Sequence, residues 1–150
     1  MSYIDKLIEN CEKAKVATPI REFVMNDLSD LVGINQSIYV IEQIGGDPEG
    51  TFRDFCRFKQ TKARSCSRPN APSSVLYVGS STTGLGKRIS EHLGKGNSKT
   101  YALHLEHWCK EKYRITIKVY DVAADVLQIV EDALSFELKP AFGKQGANNK

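Results

Sequence analysis

The chain lacks an apolar run long enough to span a membrane, and residues 1–10 hold acidic side chains where a secretory signal has an apolar core. It is poor in cysteine, with four in 150 residues and no CxxC pair among them. These absences argue against a membrane-spanning protein and against a disulfide-rich secreted scaffold. We therefore expect a cytoplasmic protein with free thiols, no membrane partner and a single domain over residues 1–150.

Cysteine and histidine side chains offer one candidate zinc site, formed by Cys66, His104, His107 and Cys109. Their spacing matches none of the standard patterns of zinc ligands, which keep pairs of ligands a few residues apart on each side of a loop. The sequence therefore favours free cysteines over a zinc site.

Positive charge is modest overall, with a net charge of +3, but it is concentrated in one segment. Residues 51–70 carry six bases and a single acid, with three phenylalanines interleaved among them. This pattern is typical of a nucleic-acid contact surface, and it equally fits a solvated helix whose phenylalanines face the core. The bases that we expect to bind nucleic acid in this segment are Arg53, Arg57, Lys62, Arg64 and Arg68.

Hydrophobic periodicity predicts three strands and about six helices. An amphipathic helix over residues 3–15 and a second helix, opened by Thr18-Pro19 and ending near Gly33, would form a helical extension over residues 1–34. We expect an α/β (α+β) fold with a small, mainly antiparallel three-stranded sheet flanked by helices. The predicted strands are 37–44, 75–78 and 114–120; the later helices are 47–63, one after the turn that starts at Gly79, 97–109 and 124–138; and residues 65–74 are a mobile loop.

Arg88 and His92 are four residues apart on a short helix that follows a turn rich in glycine, serine and threonine. This spacing puts both side chains on one helix face, where a cationic pair suits an anionic ligand such as phosphate. Alone, the pair fits a solvated helix face just as well. Its meaning depends on what other motifs surround it.

Four short motifs follow one another along the chain. Ser37-Ile38-Tyr39 lies in one predicted strand, Tyr77-Val78-Gly79 in the next and Arg88 on the following helix, while Glu131 on the last helix precedes Pro140 by nine positions. In these motifs the chain resembles the GIY-YIG nuclease family over residues 37–143, with residues 45–74 as a basic insertion between the two tyrosines.

The chain departs from the family pattern at three positions. Ser37 replaces a glycine and Val78 an isoleucine, and both changes keep the character of a strand. Gly143 stands where the family often has an asparagine, so one hydrogen bond of the site would be lost. Asn148 and Asn149 are the candidates to replace it.

The resemblance implies a metal-dependent DNA endonuclease that hydrolyses phosphodiester bonds. Tyr39 would activate the attacking water as a general base, which requires its pKa to be lowered from about 10. Tyr77 would assist by hydrogen bonding to the water or the phosphate. Arg88 would hold the scissile phosphate and its developing charge.

The resemblance also implies a metal ligand and two further contacts. Glu131 would bind Mg²⁺ or Mn²⁺, since one carboxylate with several waters suits a hard cation. His92 would orient Tyr39 or bind phosphate, and Lys87 is a weaker candidate for phosphate contact.

Double-stranded DNA is the expected partner, bound by a monomer or a dimer. Two alternatives stay open from the sequence alone: a nucleic-acid-binding module without catalysis on the same fold, and a nuclease directed at RNA.

Overall fold

The computed structural model describes residues 2–147 of the chain. Its strands are β1 (Arg21–Val24), β2 (Ser37–Ile44), β3 (Val75–Ser81) and β4 (Lys112–Val119), and its helices are α1 (Tyr3–Val16), α2 (Pro48–Gln60), α3 (Leu85–Leu93) and α4 (Ala124–Leu138). Two short 3₁₀ helices cover Leu28–Leu31 and Leu105–His107. The protein is α+β as predicted, but its antiparallel sheet has four strands, in the order β1-β4-β2-β3. None of the helices in the described part has the length and apolar character that a membrane span needs.

The additional strand, β1, lies where a helix was predicted between Thr18 and Gly33. The backbone N–H of Ile20 donates to the carbonyl of Val119 at 2.8 Å, and β1 pairs with β4 from that point. The helix prediction was wrong because aromatic and β-branched residues over 20–24 find a ladder partner in β4, which outweighs a weak helical spacing. Residues 1–34 are therefore not a helical extension, since part of them completes the sheet.

The sheet separates two hydrophobic clusters, and β2 contributes to both because its side chains alternate. Ile38 and Val40 pack with Leu127 of α4 in one cluster. Tyr39 lies in the other, larger cluster with Phe55 of α2 and with residues of α3. This alternation sends Tyr39 to the α3 side of the sheet.

Helix α1 forms as predicted, but its apolar side chains do not enter the core. Ile4 is 66% exposed and Ile8 is 53% exposed, while Asn10 is buried. The helix lies against α4, and its amphipathic pattern therefore does not identify the side that the fold covers.

The helix predicted over residues 97–109 is also wrong, because only the turn Leu105–His107 is helical there. His104 has a φ of +54° and interrupts any longer helix. Its Nε2 donates to the carbonyls of Ser65 and Thr100, both at 2.9 Å. The segment still contributes to the core, because Ala102, Leu105 and Trp108 are buried and Cys109 is half-buried.

Residues 65–74 are irregular, as predicted, yet they are fastened to the rest of the fold. Cys66 pairs with Ala102 in a parallel bridge, and Pro69 pairs with Phe142 in an antiparallel one. The N–H of Asn70 donates to the carbonyl of Ala141 at 2.8 Å. The segment is therefore held beside the residues that follow α4, rather than projecting as a free loop.

Candidate active site

One cleft of about 830 Å³ brings the predicted motifs together where the edge strand β3 faces α3 and α4. Its lining includes Tyr39 from β2, Tyr77 from β3, Arg88 from α3 and Glu131 from α4. His92 lies behind the two tyrosines and is fully buried. The five predicted site residues therefore form one contiguous group.

Tyr39 reaches the cleft across its register partner on β3, which is Gly79. A Cβ at that glycine would lie 2.9 Å from Cε2 of Tyr39 and even closer to the hydroxyl end of the ring. The glycine of the Tyr-Val-Gly motif thus makes room for the tyrosine of the other motif. Burial raises the pKa of the Tyr39 hydroxyl well above its ordinary value and Tyr77 adds to the rise, whereas the charge of Arg88 lowers it.

His92 is hydrogen-bonded on both ring nitrogens, and these bonds fix its tautomer. The backbone N–H of Leu103 donates to Nδ1 at 3.2 Å, so Nδ1 carries no proton. Burial lowers the pKa of His92 well below its ordinary value of 6.5, and the charge of Arg88 adds to the effect. The neutral ring therefore carries its proton on Nε2 and donates it to the Tyr39 hydroxyl oxygen at 3.0 Å. Tyr39 is left with its own proton free to point elsewhere.

The aromatic rings stack in a way that holds both tyrosines. The rings of Tyr39 and Tyr77 are within 6° of parallel, with centroids 6.1 Å apart, and the ring of His92 lies 4.3 Å from that of Tyr77. Such contacts fix the ring positions without using their hydroxyls. Both hydroxyl groups thus stay available for hydrogen bonding.

Arg88 is held in place by three groups while remaining 27% exposed to the cleft. Its Nη1 donates to Oε1 of Glu91 and to the carbonyl of Tyr101, both at 3.1 Å. Its Nη2 donates to the Tyr77 hydroxyl at 3.3 Å. A guanidinium fixed in this way can bind an anion with little further loss of side-chain entropy.

Glu131 is a buried carboxylate, 5% exposed, that lines the cleft. The hydroxyl of Ser80 donates to its Oε1, and the ammonium of Lys144 pairs with its Oε2. Lys144 also binds Oδ1 of the neighbouring Asp132 at 2.6 Å. An oxygen donor set that already holds one cation fits Mg²⁺ or Mn²⁺, which take one or two carboxylates and complete their shells with water.

The zinc candidates make other contacts in the structure. Nε2 of His107 hydrogen-bonds the carbonyl of Gly94 at 3.0 Å, and Cys109 contacts the carbonyl of Glu111. Across residues 2–147, no three side chains among aspartate, glutamate, histidine and cysteine gather as a metal-binding group. All four cysteines are free, and Cys66 is the buried one.

Gly143 has a structural reason to replace the expected asparagine. Its φ is +85°, and a Cβ there would lie 2.6 Å from Cε2 of Tyr77. An asparagine amide does reach this loop, but from the insertion: Nδ2 of Asn70 donates to the carbonyls of Gly143 at 2.9 Å and Pro140 at 3.1 Å. Asn148 and Asn149, the substitutes expected from the sequence, lie outside the described residues.

The predicted nucleic-acid contacts fall into three groups. Arg68 is exposed and lines the cleft, together with Lys59, which the sequence prediction had omitted. Arg64 donates to the carbonyl of Gly96 at 3.1 Å and so fastens its own segment. The remaining predicted bases are exposed and do not line the cleft; they are Arg53, Arg57, Lys62 and Lys87.

Sequence reasoning missed Ser80, Lys144 and the N–H of Leu103, which directly contact the predicted residues. A signal existed for Ser80, because it follows the Tyr-Val-Gly motif on the same strand and on the α4 side of the sheet. No local pattern marks Lys144 or Leu103, since their contacts depend on how distant segments pack.

The cleft thus combines two phenols, a fixed guanidinium and a buried carboxylate within one small volume. Burial and charge shift the pKa values of Tyr39 and His92 there, as is common where ionisable groups are placed for chemistry. No protein-family model, curated protein or solved structure matches this chain.

Proposed function

We propose that this protein is a divalent-metal-dependent endonuclease of the GIY-YIG type, which hydrolyses phosphodiester bonds in DNA. The observation that carries the proposal is the meeting of Tyr39, Tyr77, Arg88 and Glu131 around one cleft, although they come from four separate elements. Phosphodiester hydrolysis needs an activated water, neutralisation of phosphate charge and a stabilised leaving oxygen. This set of side chains offers a group for each need.

Tyr39 is the proposed general base, taking a proton from the attacking water. The Nε2–H of neutral His92 donates to the Tyr39 oxygen and therefore stabilises the phenolate that this role requires. Because the tautomer of His92 is fixed with the proton on Nε2, His92 cannot accept the proton of Tyr39. His92 is therefore a positioning residue. The charge of Arg88 acts in the same sense, but burial outweighs it and leaves the Tyr39 pKa above its ordinary value. The lowered pKa expected from the sequence is therefore not reached by this chain alone, and the positive charge of a bound metal would have to supply the rest.

Arg88 is the proposed phosphate ligand, because it combines a fixed position with exposure to the cleft. Since Arg88 donates to the Tyr77 oxygen, the proton of Tyr77 is free to be donated to a phosphate oxygen or a water. Glu131 is the proposed metal ligand. Held there with waters, Mg²⁺ or Mn²⁺ would supply positive charge that stabilises the scissile phosphate and its leaving oxygen.

Double-stranded DNA is the proposed substrate. Arg68 and Lys59 bring positive charge to the cleft, and α2 carries the exposed Arg53 and Arg57. The phosphates of DNA would bind these positively charged side chains, and such contacts carry no base specificity. The chain would bind as a monomer that nicks one strand or as a dimer that cuts both.

The proposal is tested by incubating the protein with supercoiled plasmid and Mg²⁺, and by comparing Arg88→Ala with Lys87→Ala. We expect the wild-type protein to nick the plasmid, and Arg88→Ala to be slower by about 10²–10³-fold, because it loses a preorganised charge at the phosphate. Lys87, a candidate for phosphate contact from the sequence, is exposed and does not line the cleft, so Lys87→Ala should keep most of the activity.

Parallel reactions with single-stranded DNA and duplex RNA separate the other candidate functions. Cleavage of RNA that is faster than cleavage of both single-stranded and double-stranded DNA would make RNA, rather than DNA, the substrate. DNA binding without cleavage in Mg²⁺ or Mn²⁺ would overturn it in favour of a binding module.

A further inference from the structure

Lys144 lies at the position where a divalent metal is expected to meet Glu131. Its ammonium pairs with Oε2 of Glu131 and with Oδ1 of Asp132, and the lysine side chain is only 13% exposed. The other oxygen of Glu131 accepts the hydroxyl proton of Ser80. Both oxygens of the carboxylate are therefore engaged, one of them by a cation of this chain.

The loop that carries Lys144 is built to hold it there. Gly143 and Gly146, on either side of it, have φ values of +85° and +68°. The N–H of Gly146 donates to the hydroxyl of Ser135 on α4 at 2.9 Å, and Asn70 donates to the carbonyl of Gly143. Because the loop is fastened on both sides of Lys144, the fold itself places the lysine backbone beside Glu131.

Charge makes Lys144 a competitor for metal. Glu131 and Asp132 together provide two negative charges, and Lys144 neutralises one of them within hydrogen-bond distance of both. A divalent ion approaching Glu131 meets this ammonium.

We propose that Lys144 is an internal counter-ion, which occupies the metal position of the free protein and must leave Glu131 before a divalent ion binds. The inference rests on the proposed function, in which Glu131 is the metal ligand. It deepens that proposal, because it makes the affinity for metal a balance between two cations rather than a property of Glu131 alone.

The first test measures Mn²⁺ binding by electron paramagnetic resonance of the free ion. We expect Lys144→Met to bind Mn²⁺ about tenfold more tightly than wild type or better, since one like charge is removed from the immediate site. Lys95→Met is the matched control, because Lys95 pairs with the exposed Glu106 at 2.9 Å on another part of the surface. Its Mn²⁺ affinity should equal that of wild type, and adding Glu131→Gln to Lys144→Met should abolish the tight site.

The second test uses the wild-type protein and so does not depend on how well Lys144→Met folds. The amine signal of Lys144 in ¹⁵N nuclear magnetic resonance is identified by its absence from Lys144→Arg. We expect addition of Mg²⁺ to shift or broaden this signal, and to leave that of Lys95 unchanged. A Lys144 signal unchanged at Mg²⁺ concentrations that displace all bound Mn²⁺ would overturn the inference, as would Mn²⁺ affinity in Lys144→Met no higher than in wild type.

Plasmid nicking by the same samples keeps the two proposals apart. A protein that nicks DNA but shows no effect of Lys144 on metal binding contradicts only this inference. A protein whose metal affinity rises in Lys144→Met but which never cleaves supports the role of Lys144 and contradicts the proposed function.

Discussion

Tyr39 and His92 form a hydrogen-bonded pair in which each proton has a definite place. The backbone N–H of Leu103 occupies Nδ1 of His92, so the histidine can only donate to Tyr39. A buried tyrosine is a poor base on its own, because burial favours the neutral phenol. A permanent donor on one side and the charge of Arg88 on another oppose that effect of burial.

The neutral state of His92 has a consequence for stability. Its pKa is lowered in the folded protein, so below pH 6.5 the unfolded chain binds a proton at this residue and the native chain does not. The free energy of unfolding should therefore fall as the pH drops below 6.5, by up to about 1.4 kcal/mol per pH unit from this group. Above that pH, the residue adds no pH dependence.

Urea unfolding of wild type and His92→Gln at pH 7.5, 6.5 and 5.5 measures this contribution. We expect the variant to lose less stability than wild type on acidification, whatever its stability at pH 7.5. His107→Gln, a change at an exposed histidine, should retain the wild-type slope below pH 6.5. Equal slopes in wild type and His92→Gln would contradict a neutral buried ring.

Two irregular segments pair beside the edge strand β3 and complete the cleft. Pro69 pairs with Phe142, and the N–H of Gly143 donates to the carbonyl of Arg68 at 2.8 Å. The first segment brings Arg68 to the cleft and the second brings Lys144. The basic insertion therefore contributes through its last residues, while its helix α2 anchors Phe55 in the core.

This arrangement predicts that Arg68 contacts DNA phosphate more closely than the other bases of the insertion. In Arg68→Ala, the slope of log affinity against log salt concentration should become shallower by about 0.9, the value for one lost phosphate contact. Fluorescence anisotropy of a labelled duplex at several salt concentrations gives this slope. Lys13→Ala on α1, where Lys13 pairs with Glu9, serves as the control, and a slope equal to wild type in Arg68→Ala would refute the contact.

Across the whole molecule, local sequence predicted the elements whose own residues determine them. Strand β4 and helix α4 were predicted with nearly their final bounds. Strand β1 was not, because its ladder partner β4 is distant in the chain, and a four-residue strand has little pattern of its own. The predicted helix over 97–109 failed for a similar reason, because Ala102 and His104 bond to Cys66 and Ser65 of the distant insertion.

The residues of the site, too, were predicted from the sequence only in part. The order of motifs along the chain predicted Tyr39, Tyr77, Arg88 and Glu131 as site residues, and the fold brings these four side chains to one cleft. The sequence did not predict that Lys144 would pair with Glu131, because that contact requires the loop after α4 to fold back over the helix.

We propose that this cleft hydrolyses DNA with a metal held by Glu131. The most direct test compares nicking of supercoiled plasmid by wild type and Glu131→Gln at saturating Mg²⁺, with duplex affinity measured on the same samples. We predict that Glu131→Gln nicks at least about a hundredfold more slowly, the scale of removing one preorganised charge, while it still binds DNA. Nicking by Glu131→Gln at the wild-type rate would contradict the account.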